Sequence, residues 1–239
     1  PMEILKVLEW TAGYTLVAER YMKGRVLIAG DAAHLFTPAA GLGYNTSIDD
    51  ISNLGWKLAA VIQGWGGPAL LASYEEERKP IGERNTRFAR STANNIGDIP
   101  FGDTLEDDSP SGREERAAVG ARIHAILVKE FEIPGLILGV CYRGSRIVAT
   151  EEGPPPEDDM HVYRPSTYPG CRAPHLLLAD GSSILDRFGK GFVLAGFGGR
   201  ASEAAGLCKA AQAAGVRGEA GARLAAVARL GENVCCRGK

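Results

Sequence analysis

The apolar run Arg25-Val26-Leu27-Ile28-Ala29 stops abruptly at Gly30-Asp31. Four or five apolar residues bounded by glycine fit a core strand. A loop rich in proline and glycine follows over 38–43, and then apolar residues recur at Ile48, Ile51, Leu54, Leu58, Val61 and Ile62, the spacing of one helical face. This order of strand, Gly-Asp, loop and helix is the feature that most constrains the fold. It predicts a helix over about 45–63 that starts at the carboxyl edge of a sheet, where open α/β folds bind their ligands. A short acid in that place can accept hydrogen bonds from a ligand hydroxyl. Glycines at 41 and 43 let the backbone come close to a flat ligand, since neither puts a Cβ in the way. The first helical turn adds unpaired N–H groups and the positive end of its dipole. Such a device stabilises an anion, by about 0.3–2 kcal/mol for the dipole contribution.

Around this unit the chain reads as a mixture of helices and short strands. Residues 4–9 and 14–18 cluster β-formers around Ala12-Gly13, which predicts a hairpin. Glycines at 64, 66 and 67 break the first helix, and Pro68 is placed to open a second whose buried side includes Leu70, Leu71 and Tyr74. Pro80 is expected to kink or end that helix. Residues 94–110 are polar and acidic and read as a solvated loop rather than a cation site. Ser111 and Glu114 have capping-box spacing for a third helix reaching about Glu132, and a strand is expected over 136–142. The Gly-Pro-Pro-Pro run at 153–156, with acids around it, predicts a linker over 151–160. Beyond it, strands are expected at 175–179 and 192–195, with a turn at Asp180-Gly181; the stretch from 201 onward is rich in Ala and Gly and poor in large apolar side chains.

Composition narrows the function classes. The formal net charge of -2 and the absence of a basic cluster with interleaved aromatics argue against nucleic acid as a partner. No apolar run approaches the roughly 18–20 residues that span a bilayer, and the first residues have no signal-peptide character, so a cytoplasmic protein with no membrane partner is expected. The five cysteines, Cys141, Cys171, Cys208, Cys235 and Cys236, show no paired metal-ligand spacing. Reduced thiols without a particular role are expected, and no metal site.

The residues Gly30-Asp31-Ala32-Ala33-His34, Pro38, Gly41, Gly43, Asn45, Asp49 and Asn53-Leu54-Gly55-Trp56-Lys57-Leu58 closely resemble the second FAD motif of the class A flavoprotein monooxygenases, the para-hydroxybenzoate and phenol hydroxylase group. The resemblance extends upstream to Arg20 and Gly24-Arg25 and downstream through Tyr74, Glu77-Arg78 and Pro80. It resumes at Leu138-Gly139, Tyr142, Gly144-Ser145, Tyr163, Pro169-Gly170, Arg172, Asp180-Gly181 and Phe188-Gly189, a set similar to the subgroup with a C-terminal thioredoxin-like domain.

The implied fold is α/β (α+β): the C-terminal part of a Rossmann-like, glutathione-reductase-type FAD-binding domain over 1–150, a linker over 151–160, and an incomplete thioredoxin-like domain over 161–239. The implied cofactor is FAD, with NAD(P)H as co-substrate. The implied reaction is hydroxylation of a small phenolic or other aromatic substrate with O2 through a flavin C4a-hydroperoxide.

Carried over by position, Asp31, following Gly30, resembles the acid that binds the ribityl hydroxyls. Gly41, Leu42, Gly43, Tyr44 and Asn45 resemble the loop and helix start that hold the pyrimidine end of the isoalloxazine, and Pro38 resembles the wall beside the reacting flavin carbon. His34 is expected to be structural rather than a general base, and Trp56 and Leu58 to be packing residues. Cys171 has no second cysteine at Cys-x-x-Cys distance, so a thioredoxin-like fold here is expected to be redox-inert. The family's Gly-x-Gly-x-x-Gly turn, which holds the FAD pyrophosphate at a helix start, and its internal Asp-Gly motif are both absent from this sequence. With Pro1 in place of an initiator Met, that predicts a fragment whose N-terminal half lies elsewhere and which is inactive alone. A homodimer is compatible with this reading. A remnant that binds no flavin, or another flavoenzyme of the superfamily such as a halogenase or reductase, stays open.

Overall fold

The computed structural model describes residues 3, 5–7, 9, 14–178, 180–188 and 191–193, together with the single positions 206, 209, 210 and 213. Its framework is helical. A long pair, α1 (Leu42–Ile62) and α2 (Pro68–Gly97), packs side by side, and α3 (Pro110–Phe131) and the short α4 (Pro134–Leu138) lie against the α2 end of the pair. Among the described residues, four two-residue strands, β1 (Leu16–Val17), β2 (Met22–Lys23), β3 (Val26–Leu27) and β4 (His34–Leu35), make two antiparallel ladders, β1 with β4 and β2 with β3. The coarse expectation of a mixed helix and sheet fold is met.

The sheet differs from the expectation in its partners. Among the described residues β1 pairs with His34–Leu35; of the expected partner strand over 4–9, Ile4 and Leu8 fall outside the described residues. The run at 25–29 forms a tight hairpin about Gly24, whose φ of +61° suits glycine. Val26 is 66% exposed, so among the described residues this run is an edge rather than a core strand.

Helix ends follow local chemistry. Pro68 opens α2 at the first position, where its missing N–H costs nothing. Helix α3 is capped by Ser109, whose hydroxyl accepts the Gly112 N–H at 3.1 Å, with Pro110 next; Ser111 is not the cap. Helix α2 does not end at Pro80. Pro80 lies on the exposed side, while Glu77, Arg78, Ile81, Gly82, Arg84 and Asn85 hold the opposite side in buried contacts, so tertiary packing overrides the local break. The 94–110 loop consequently begins only at Asp98, and residues 134–138 are helical rather than extended.

The largest departure concerns which side of α1 is buried. Its inner residues include Thr46, Asp50, Asn53 and Lys57 beside Leu42, Leu54 and Ala60, whereas Ile48 and Ile51 are 47% and 56% exposed. Helix α2 meets this polar stripe with Ser73, Glu77, Arg78 and Asn85. The apolar contacts sit at either end. Tyr21, Ala33, Leu54 and Tyr74 form one cluster, and Leu42, Ala89, Ile133 and Leu136 the other. Tyr21 reaches α2 closely enough that a Cβ at Gly82 would stand 2.3 Å from its hydroxyl, so only glycine fits there.

Residues 151–160 form neither helix nor strand, and Asp158 at their end is held by the Arg84 guanidinium at 2.8–3.0 Å. Leu177 and Ser183 form a single antiparallel bridge across the turn at Asp180-Gly181. Of the two late strands expected, residues 179, 194 and 195 lie outside the described residues.

Candidate functional site

Gly30 is buried at φ +58°, and the Ser47 hydroxyl lies 3.1 Å from where a Cβ would stand. Conformation and space both restrict the position to glycine. A single 3-10 turn, Gly30–Ala32, follows and is closed by the Ala33 N–H donating to the Gly30 carbonyl at 2.8 Å. Asp31, the next residue, is exposed.

Asp50 of α1 holds this turn from beneath. Its Oδ2 accepts the Gly30 N–H at 3.1 Å and lies 2.7 Å from His34 Nε2, while its Oδ1 accepts from Arg78 Nε at 2.8 Å. Asp50, His34 and Arg78 are all buried. Burial by itself pushes the Asp50 carboxyl up; the hydrogen bonds of His34 and Arg78 and the Arg78 charge outweigh it and hold the group below its ordinary value. Arg78 also donates to the Tyr142 hydroxyl at 3.2 Å and the Thr46 carbonyl at 3.4 Å, which ties the turn to both long helices. Asp49, the α1 acid of the sequence motif, is the outer neighbour: its side chain is 59% exposed and 3.8 Å from Arg78. His34 has its Nε2 engaged by Asp50 and its ring enclosed, an arrangement that fits a structural role.

The second wall is the 38–45 segment. Ala40 and Gly41 both adopt left-handed backbone, at φ +54° and +62°. The Ala40 N–H donates to Glu130 Oε1 of α3 at 2.7 Å, and Glu130 is itself buried. A left-handed alanine costs about 1–2 kcal/mol, so this contact holds the loop in a conformation the chain would not adopt unaided. Ala40→Gly is expected to raise stability by about 0.5–1 kcal/mol, the strain relieved less the added freedom of the unfolded chain. Chemical denaturation measures it, and an equal or lower stability would contradict the strain.

Helix α1 then starts with Gly41 as its N-cap and no side-chain capping bond. Asn45 turns its amide back to donate to the Gly41 carbonyl at 2.7 Å. Pro38, Gly41, Tyr44 and Asn45 are exposed, Gly43 is half-buried with its Cβ position 3.7 Å from Phe36, and Leu42 points into the second apolar cluster.

Residues 1–89 match the family described as FAD binding domain. The chain is 38% identical over 204 residues to the FAD-dependent monooxygenase opdD of Penicillium oxalicum, covering 82% of this chain and 38% of that protein. It is 36% identical over 181 residues to phenol 2-monooxygenase of a Pseudomonas species, covering 68% and 30%. The solved structure of the rebeccamycin biosynthetic enzyme RebC with reduced flavin superposes with a TM-score of 0.73 at 41% identity, over 85% of this chain and 37% of that one. This chain carries an FAD-binding domain of the kind found in FAD-dependent aromatic-ring monooxygenases. It spans between 30% and 38% of the length of these relatives.

The residues present fit part of the cofactor of such a monooxygenase. An exposed carboxylate at Asp31 is an acceptor suited to a polyhydroxyl chain. Among the described residues, no atom beyond its own chain neighbours lies within 4 Å of a would-be Cβ at Gly41, so the backbone there is open to a flat ring. The uncapped start of α1 presents N–H donors and a positive dipole end to an anion. The residues that position this surface, Asp50, Arg78 and Glu130, carried no such role in the sequence reading. The signal available for Asp50 was its four-residue spacing from Thr46 and Leu54.

Proposed function

We propose that this chain forms the ribityl and pyrimidine half of the FAD site in an enzyme that uses NAD(P)H and O2 to hydroxylate a small phenolic or other aromatic substrate. The observation that carries the reading is the pairing of an exposed Asp31, on a turn clamped from below, with the uncapped start of α1 behind a left-handed Gly41. Asp31 accepts hydrogen bonds from the ribityl hydroxyls. The backbone of 41–45 lies against the pyrimidine end of the ring, and the helix start favours negative charge there. Pro38 forms the wall beside the reacting edge, and Gly30 gives the turn its shape. When bound, the flavin supplies the redox chemistry, passing electrons from NAD(P)H to dioxygen so that one oxygen atom enters the aromatic ring and the other leaves as water. The oxygen-transfer route expected from the resemblance is part of this proposal. No side chain of this chain is assigned as the catalytic acid or base.

The pyrophosphate grip, the nicotinamide contacts and most of the substrate pocket belong, in this reading, to an N-terminal half of the enzyme. The outward isoleucines of α1 and the exposed Leu16 and Val26 are apolar side chains available to meet it. The division into a flavin part over 1–150, a linker over 151–160 and a thioredoxin-like part over 161–239 belongs to the same proposal, as does a cytoplasmic location. Among the described residues no helix is long and apolar enough to cross a membrane.

In the full-length enzyme, Asp31→Ala is expected to weaken FAD binding roughly tenfold or more, since a hydrogen bond to a charged group contributes about 1.5–3 kcal/mol. Titration of the apoenzyme with FAD, alongside circular dichroism to verify the fold, measures it. Unchanged affinity in a folded variant removes Asp31 from the site.

A further inference from the structure

Two cysteines thirty positions apart in sequence face each other across an antiparallel bridge, Cys141 with Cys171. The Tyr142 N–H donates to the Gly170 carbonyl at 2.9 Å beside them, which makes the pair a non-hydrogen-bonded one. Opposed residues at such positions have Cα atoms about 4.5 Å apart and side chains at their closest. A disulfide requires Cα atoms about 4.4–6.8 Å apart. The backbone therefore already stands within disulfide geometry, and the two sulfurs are in direct contact. The two halves are held against each other. Gly170 is left-handed, at φ +86°, and a Cβ there would meet the Tyr142 carbonyl at 2.8 Å; Tyr142 is fixed in turn by Arg78.

We propose that Cys141 and Cys171 are a redox-active pair, closed to a disulfide by hydrogen peroxide and reopened by a dithiol reductant. The proposal is independent of the flavin reading. Cys141 lines an open groove of about 490 Å³ between α2 and residues 139–143, wide enough for peroxide to reach the sulfur. The Cys171 thiol donates to the Cys141 sulfur, and burial and that bond push Cys171 up to about 12. Cys141 is therefore the first nucleophile and Cys171 the resolving thiol. The Cys141 thiolate attacks one peroxide oxygen, the O–O bond breaks, and hydroxide leaves and takes up the proton Cys141 gave, leaving a sulfenic acid. Cys171 sulfur then attacks the Cys141 sulfur. The S–O bond breaks, the Cys171 proton goes to the departing hydroxide, and the second water forms. One peroxide is reduced to two waters while two thiols become one disulfide. The bond closes a loop over 142–170 and ties the end of the helical framework to the segment that follows the proline-rich stretch. A loop of that size stabilises chiefly by restricting the unfolded chain.

The test treats the full chain with stoichiometric hydrogen peroxide under native conditions, alkylates free thiols, and maps peptides by mass spectrometry. The expected result is one tryptic cross-link between the Cys141 and Cys171 peptides, reversed by dithiothreitol, with a melting temperature about 5–15 °C higher in the oxidised form. Cys171→Ser is expected to keep the reduced protein's melting temperature, lose the cross-link, and accumulate a Cys141 sulfenic acid trapped by dimedone. Cys141→Ser gives neither product. Separate alkylation of both cysteines after oxidation, or cross-links spread equally over Cys208, Cys235 and Cys236, would overturn the proposal.

Discussion

Replacing Asp50 with alanine is expected to cost about 3–5 kcal/mol of folding stability at neutral pH, the range for removing one partner from a buried charged pair. The size follows from what is stranded. Arg78 loses its buried counter-charge, keeping only the exposed Asp49 at 3.8 Å, while still enclosed by both long helices, and the Gly30 N–H and His34 Nε2 lose their acceptor. Asp50→Asn, which keeps the shape and one acceptor oxygen, is expected to fall between wild type and Asp50→Ala. The difference also depends on pH in one direction. The folded Asp50 carboxyl is held below its ordinary value. A depressed acid adds stability above the unfolded pKa, about 3.9, and that stability is lost as pH falls through the folded value. The gap between wild type and Asp50→Ala should therefore be flat from pH 7 to 5 and narrow below about pH 4. Urea titrations at pH 7, 5 and 3.5 read it directly; a gap unchanged at the lowest pH would mean that the carboxylate is not what stabilises the turn.

What the sequence discloses about this fold is what local chemistry decides. Pro68 opens a helix because it needs no N–H partner there, and glycine ends the run at 25–29 because the next turn requires a left-handed residue. The Gly-Asp turn and the glycine-spaced helix start are legible for the same reason. The inner side of α1 was not. A 3.6-residue apolar period identifies a stripe, but Ile48 and Ile51 turn outward because α2 brings its own polar stripe, and Asp50, Asn53 and Lys57 can be buried only where Arg78, Glu77 and Ser73 meet them. That pairing is a property of two helices, and neither segment contains it alone. Glu130 lies ninety residues from the Ala40 N–H it accepts, and Cys141 lies thirty from Cys171, both beyond the reach of any spacing rule. Pro80 shows the converse: the local rule is sound, and a buried network on the opposite side of α2 overrides it.

Glu77 is the centre of the second buried network, and its removal is expected to match that of Asp50 in size. One oxygen accepts from Lys57 Nζ at 2.6 Å and from the Asn53 amide at 2.6 Å, and the other from the Ser145 hydroxyl at 2.7 Å. Lys57 is fully buried, with Ser73 as its other partner at 2.8 Å. Burial pushes the Lys57 ammonium down, and the Glu77 bond and charge push back without restoring it. Glu77→Ala is expected to cost about 3–5 kcal/mol at pH 7, because an ammonium is left buried with no counter-charge. The gap to wild type moves with pH in the opposite direction to that of Asp50, because here the variant rather than the wild type holds the more depressed group. A lysine whose folded pKa lies below the unfolded value, about 10.4, favours its neutral form in the fold, so its contribution is most favourable at high pH and is lost as pH falls through the folded value. Without Glu77 the folded value drops further, and the deficit of Glu77→Ala relative to wild type should shrink between pH 7 and pH 9. The decisive comparison is the double replacement Lys57→Met with Glu77→Leu. Removing both charges leaves no ion stranded, so the double variant is expected to be more stable than Glu77→Ala by at least about 1 kcal/mol, although Asn53, Ser73 and Ser145 each lose a partner. If the two single losses simply add in the double variant, the ion pair is not a coupled unit, and the cost of Glu77→Ala must come from its hydrogen bonds to Asn53 and Ser145 instead.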